Sequence, residues 1–142
     1  MKTSTLFIGA LLSLVIAGCS SDSSDDSNVS VTVSAPITIS GKSIKGTITS
    51  GSGAFASSGR SMFVASSSDN KYKVLGDGIN TINANGTFSY SASNNKATIA
   101  FDDSLLGKGN YIFTFTSETK GTYTAESEQS TLAKQTGLFE LL

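Results

Sequence analysis

From residue 29 onward, apolar and polar residues alternate with a period of two, the period of a strand that buries one face. Val29, Val31 and Val33 alternate with polar neighbours, as do Ile37 and Ile39 beyond Pro36. Ala97, Ile99 and Phe101 alternate with Thr98 and Ala100, and Tyr111, Phe113 and Phe115 set three rings on one face of a single strand. The i, i+3, i+4 spacing of a helix is missing from the same stretch. Turn-forming groups punctuate it at Ser40-Gly41-Lys42, Gly51-Ser52-Gly53, Ser68-Asp69-Asn70, Asp77-Gly78, Asn85-Gly86, Asn94-Asn95, Gly107-Lys108-Gly109 and Lys120-Gly121. Between them fall the strand candidates 29–34, 36–40, 43–50, 60–66, 71–75, 86–92, 96–101, 110–117, 121–127 and 137–141, of which about eight survive once some merge or fail.

These elements predict an all-β domain over residues 29–142. An antiparallel meander removes its exposed edges by closing on itself, so a small antiparallel β-barrel of about eight strands is the first architecture and a β-sandwich the alternative. One Pro against fourteen Gly fits short strands joined by tight turns. Gly46-Thr47-Ile48-Thr49, Gly86-Thr87-Phe88-Ser89 and Gly121-Thr122-Tyr123-Thr124 echo one another. Turn chemistry accounts for the echo, with glycine leaving a turn and β-branched threonine beginning a strand.

The first 28 residues follow other rules. Lys2 supplies a positive charge, and Leu6 to Gly18 is apolar or small apart from Ser13. As a helix this run spans roughly 20 Å, short of the roughly 30 Å of a hydrocarbon core, which marks a cleavable signal helix rather than a permanent span. It ends in Ile16-Ala17-Gly18-Cys19, an aliphatic residue and two small ones before cysteine, and this resembles the lipobox of bacterial lipoproteins. The resemblance implies cleavage by signal peptidase II between Gly18 and Cys19. It also implies diacylglycerol on the Cys19 thiol and an acyl chain, such as palmitate, on the new amine. Several acyl chains hold a protein at a membrane effectively permanently. Ser20, where an Asp would resemble an inner-membrane retention signal, implies the outer membrane of a Gram-negative envelope. Residues 20–28 contain three carboxylates and no apolar side chain, so 19–28 reads as a lipidated cysteine followed by a disordered, hydrated tether.

Residues 19–142 carry nine basic and eleven acidic side chains with no basic stripe, which argues against nucleic-acid binding. The chain lacks His, and its single Cys lies in the lipobox. Ser/His/Asp and Cys/His catalysis are thereby excluded, as is any His- or Cys-ligated zinc site beyond the lipobox. Ser68 and Lys71 have dyad spacing but fall in a predicted turn. Asp102 and Asp103 are adjacent and so face opposite sides of a strand, whereas Glu126 and Glu128 share a face among polar neighbours. Asp69, Asn70, Asp77 and Asn80 offer hard oxygens for calcium, but match no EF-hand and suit turns equally well. No catalytic, metal or cofactor site is therefore expected.

What remains is apolar. Phe88, Tyr90, Tyr111, Phe113 and Phe115 are candidates either for the core or for the wall of a ligand cavity. The run from Gly41-Lys42-Ser43-Ile44 through Gly86-Thr87-Phe88-Ser89-Tyr90 and Gly121-Thr122-Tyr123 to Gly137-Leu138-Phe139 resembles small lipocalin-like, calycin-type barrels. It lacks the Trp of their Gly-x-Trp signature. That resemblance implies a barrel whose cavity could hold a small apolar ligand. The functional expectation is a non-catalytic envelope lipoprotein with a small β-domain, a binding or structural module of unknown specificity, whose partner beyond the membrane is a protein or a small apolar ligand. The alternative is a carrier of a small apolar ligand or lipid. A transmembrane barrel is disfavoured, because alternate strand positions carry Lys, Ser, Thr and Asn.

If Cys19 is the lipid acceptor, Cys19→Ala abolishes incorporation of radiolabelled palmitate and leaves the signal uncut; continued labelling of the variant would disprove the assignment.

Overall fold

A computed structural model describes residues 32–77 and 83–142, the side chains of 130–132 excepted. The signal helix, Cys19, the tether and the start of the first strand candidate lie outside the described residues. Those described form an all-β domain whose eight strands close into a single antiparallel barrel. In chain order they are β1 (Ser43–Gly51), β2 (Gly59–Ala65), β3 (Lys71–Asp77), β4 (Ala84–Ser93), β5 (Lys96–Asp103), β6 (Gly107–Phe115), β7 (Lys120–Ser127) and β8 (Ser130–Leu141). Each strand pairs with its sequence neighbours, and β8 returns to β1 through Ile44↔Leu141, Gly46↔Phe139 and Ile48↔Gly137. The sandwich alternative is excluded by that closing ladder.

Alternation is nearly unbroken. Along β7 and the described part of β8, every second residue, from Gly121 to Ser127 and from Ala133 to Leu141, is buried. The outer positions between them are Thr122, Thr124, Glu126, Lys134, Thr136, Leu138 and Glu140. Inward positions are mostly apolar and outward ones mostly polar, with Leu75, Ile112 and Leu138 exposed on the outer wall, the reverse of the pattern of a barrel set in lipid. Three cross-strand ion pairs join residues that face each other in register on the outer wall. They are Arg60–Asp77 at 2.8 Å, Lys134–Glu126 at 3.0 Å and Lys120–Glu140 at 3.2 Å. Exposed pairs of this kind contribute little each, about 0.2–1 kcal/mol, and they favour the observed register over a slipped one.

The candidates from 43–50 to 137–141 all correspond to strands, but 36–40 and the described part of 29–34 do not. With β8 already paired to β1, no edge is left for a further strand, and Pro36 has no N–H to contribute. Residues 32–42 instead run across one end of the barrel. There the Ala35 amide donates to the Asn94 carbonyl at 2.7 Å, Tyr90 Oη donates to the Pro36 carbonyl, and the Gly41 amide donates to the Ser66 carbonyl at 3.2 Å. Ala35 and Ile39 are buried with Val33 packed beside them, whereas Ile37 is 94% exposed, so Ile37 and Ile39 do not share a face as strand alternation requires.

Asn85-Gly86 is not a turn either, since both residues lie inside β4. The echoed glycines Gly46, Gly86 and Gly121 are all strand residues facing the interior rather than residues leaving turns. Their absent side chains leave room for neighbours. A Cβ on Gly121 would come within 2.8 Å of the Phe139 ring, and one on Gly137 within 2.5 Å of the Tyr123 ring. Large rings therefore lie directly on backbone.

Phe113 is buried against the rings of Tyr123 and Phe139, while Thr114 lies on the opposite face of β6. Phe113→Ala is expected to cost roughly 3–5 kcal/mol in denaturant unfolding and Thr114→Ala under about 1 kcal/mol. Equal losses would contradict the alternation.

Candidate functional site

The barrel interior is filled unequally. In the half nearest residues 32–42, the inward positions hold Phe63, Tyr72, Phe88, Tyr90, Phe113, Phe115, Tyr123 and Phe139. Toward the other end they are mostly small, among them Ser61, Gly76, Ala84, Gly109, Ala125 and Ala133. Small inward residues leave a cup. It is occupied from above by the β1–β2 loop, residues 52–58, which turns Phe55 and Ala56 into the interior, and from the side by Leu106.

Tyr111 stands at the floor of this cup. Its ring centroid lies 5.1 to 6.4 Å from those of Phe55, Phe63, Phe101, Phe113 and Tyr123, which makes it the hub between the packed half and the cup. Two adjoining cavities, of about 40 and about 20 Å³, remain around it, and both are lined by Ser61, Val74 and Tyr111. Together they hold a few water molecules, since one water needs about 10–15 Å³.

The polar groups facing this interior are individually placed. Tyr72 Oη donates to Asp103 Oδ2 at 2.7 Å, and Asp103 Oδ1 accepts the amides of Leu105 and Leu106, so this carboxylate closes the β5–β6 turn. Ser127 Oγ donates to the Leu106 carbonyl at 2.9 Å and pins that leucine inward. Tyr123 Oη donates to Gln135 Oε1 at 3.0 Å, and Gln135 Nε2 donates to the Ala56 carbonyl at 2.9 Å, latching the loop to the wall. The Tyr111 hydroxyl is different: it makes no hydrogen bond to a described residue and borders the cavity instead.

The residues singled out from sequence distribute as follows. Tyr111, Phe113 and Phe115 all point inward from β6. Phe88 and Tyr90 also face the interior from β4, but β5 stands between that strand and β6. Of the five, Tyr111 lines both interior cavities and Phe113 the smaller one, while Phe88, Tyr90 and Phe115 belong to the packed half. Asp102 is exposed and Asp103 buried, on opposite faces as expected. Glu126 and Glu128 are not strand partners of one face, because β7 ends at Ser127 and Glu128 lies in the following turn. Asp69 pairs with Lys71 and Asp77 with Arg60 at opposite ends of β3, which splits the oxygen cluster, and Asn80 lies outside the described residues.

Phe55, Tyr72, Tyr123 and Gln135 were not singled out. Tyr72 and Tyr123 share parity with buried neighbours, and Phe55 is an aromatic island in the stretch Gly51-Ser52-Gly53-Ala54-Phe55-Ala56-Ser57-Ser58-Gly59. Gln135 has inward parity with Ala133 and Gly137, but its type signals solvent. No known protein family, curated protein or solved structure matches this chain.

Burial holds all four tyrosines above their ordinary range. Desolvation pushes Tyr90 and Tyr123 from 10.0 up to about 12. Tyr111 is raised further by desolvation and then by nearby Tyr123 and Asp103, and Tyr72 further still by desolvation and its bond to Asp103. The unfolded chain releases these protons near pH 10 while the folded barrel keeps them. Stability is therefore whole below about pH 10 and falls as pH climbs toward the folded values. In an alkaline titration, phenolate absorbance and loss of strand circular dichroism should rise in one transition. Full tyrosine ionisation with the barrel intact would contradict the burial.

Proposed function

We propose that this chain is a lipid-anchored, non-catalytic binding module of a bacterial envelope, held at the outer membrane by acyl chains on Cys19. One observation carries the reading: the closed barrel has one end covered by residues 32–42, and at the other the β1–β2 loop covers a cavity on which the Tyr111 hydroxyl opens with no hydrogen bond to a described residue. The polar groups of the cup suit recognition more than proton transfer. Both oxygens of Asp103 are engaged, and the buried phenols, with raised pKa values, are donors and acceptors of hydrogen bonds rather than bases. The outward polar face of the strands supports an anchor made of lipid rather than of strands.

Carriage of a small apolar ligand inside the barrel is the second reading, and the small inward residues beneath Phe55 favour it. Ligand sites are ordinarily about 300–1,000 Å³, far more than the cavities of about 40 and 20 Å³ in this form. A carried ligand therefore requires the loop over the cup to move.

Native mass spectrometry of the protein extracted from its host's membranes tests both. The expected species begins at Cys19 and carries acyl chains. A bound protein supports the module and a small-molecule adduct supports the carrier, whereas an unacylated chain that retains its leader would overturn the anchored reading.

A further inference from the structure

We infer that the β1–β2 loop is a displaceable lid, and that the cup beneath it takes one ring-sized apolar molecule bearing a hydroxyl, the chemistry of a simple phenol. This rests on the carrier reading of the barrel and names its ligand class.

The side chain now in the cup shows the shape that fits there. Phe55 is 6% exposed, with Ala56 buried beside it, and its ring meets that of Tyr111 edge-on, at 6.4 Å between centroids and 79° between planes. If the Phe55 ring withdraws, its volume joins the larger cavity, which shares Ser61, Val74 and Tyr111 with the smaller one. An engineered protein cavity of about 150 Å³ is enough to bind benzene. The cup so opened is lined by the small residues Ser61, Gly76 and Ala84, by the apolar side chains of Ile48, Val74 and Leu106, and by the ring of Tyr111.

Two glycines and a few hydrogen bonds set the path of the loop. Gly53 at φ +63° and Gly59 at φ +112° bracket Phe55, both in the region that favours glycine. The Ser52 end is tied to β8, its amide donating to the Lys134 carbonyl at 2.8 Å. Beyond it, the Gln135 amide holds the Ala56 carbonyl at 2.9 Å, a neutral bond that water can replace when the loop lifts.

The hydroxyl is demanded by Tyr111. Buried hydroxyls ordinarily find partners, and those of Tyr72 and Tyr123 do, on Asp103 and Gln135. The Tyr111 hydroxyl makes no hydrogen bond to a described residue and opens instead on the water-sized cavity beside Ser61, where an entering ring would displace the water. A ring alone would leave it unsatisfied, whereas a ring with one hydroxyl gives it both a donor and an acceptor.

The test uses the full chain in detergent micelles, titrated with para-fluorophenol and with fluorobenzene and followed by fluorine NMR, where a protein-bound signal separates from the micellar one. The wild type is expected to bind para-fluorophenol saturably and roughly five- to tenfold more tightly than fluorobenzene, the worth of one added hydrogen bond. Tyr111→Phe should bring the two probes to near-equal affinity. Phe55→Ala should bind both more tightly than the wild type, because the competing ring is gone. Absence of saturable binding to the wild type would overturn the proposal even if Phe55→Ala binds, since the cup would then be a cavity made by the substitution. A phenol preference that survives Tyr111→Phe would overturn the role of the hydroxyl. Should Phe55→Ala lose its strand circular dichroism, the comparison of wild type with Tyr111→Phe decides alone. These outcomes are independent of Cys19 acylation, so failure here leaves the anchored module standing, and failure of the anchor leaves the cup to be judged by its own binding.

Discussion

Closure of the strand ladder is the constraint from which the other features follow. Once β8 pairs with β1, no strand is an edge, and most backbone groups along the wall find partners in the neighbouring strand. Closure also fixes which residues face inward, because a one-residue slip in any strand would carry its buried set to the outside. It then creates an interior of set width that side chains must fill. Eight strands leave an interior just wide enough for side chains to fill or to hold one small ligand. Rings supply most of that filling, and glycines opposite them, such as Gly121 against Phe139 and Gly137 against Tyr123, give the rings room against the wall.

A closed wall leaves two open ends, and the chain treats them differently. At one end residues 32–42 bring Ala35 and Ile39 onto an aromatic layer that already fills the lumen. At the other the inward side chains are small, and a seven-residue loop must reach in with Phe55 to restore packing. A core designed only for stability would place its bulk on the strands, where rotamers are fixed by neighbours on both sides. Bulk placed on a loop is less strongly held, since loops open at lower free energy than the ladder.

What could be read in the chain follows from the same division. Parity along strands is a local signal, and it located the buried faces of Ala97-Ile99-Phe101 and Tyr111-Phe113-Phe115 and the opposite faces of Asp102 and Asp103. Where the local signal was ambiguous, tertiary context decided. Ile37 and Ile39 alternate like a strand, yet the wall was already complete, and Pro36 between them and the earlier valines suits a strap better than a ladder. Asn85-Gly86 has turn composition, but Gly86 serves instead as an inward residue where a Cβ would press within 2.1 Å of the Asp102 carbonyl oxygen. Glycine carries two meanings in sequence, freedom of φ and absence of volume, and only the paired strand beside it distinguishes them. The cup was illegible for a related reason: its residues, Ser61, Gly76, Ala84 and Gln135, are individually unremarkable and come from four different strands.

The four tyrosines show how a mostly apolar lumen accommodates polar atoms. Each inward tyrosine brings a hydroxyl that must be satisfied, since an unpaired buried hydroxyl costs on the order of 1–3 kcal/mol. Tyr90 meets this need at the Pro36 carbonyl, Tyr72 at Asp103 and Tyr123 at Gln135, and each bond also fastens something else. The first ties the strap to the wall, the second a turn, and the third the residue that latches the loop. Tyr111 fastens nothing. Phenylalanine at that position would keep the ring contacts with Phe55, Phe63, Phe101, Phe113 and Tyr123 and would leave no hydroxyl to satisfy. Its oxygen ties no part of the wall to another among the described residues and opens instead on the water-sized cavity.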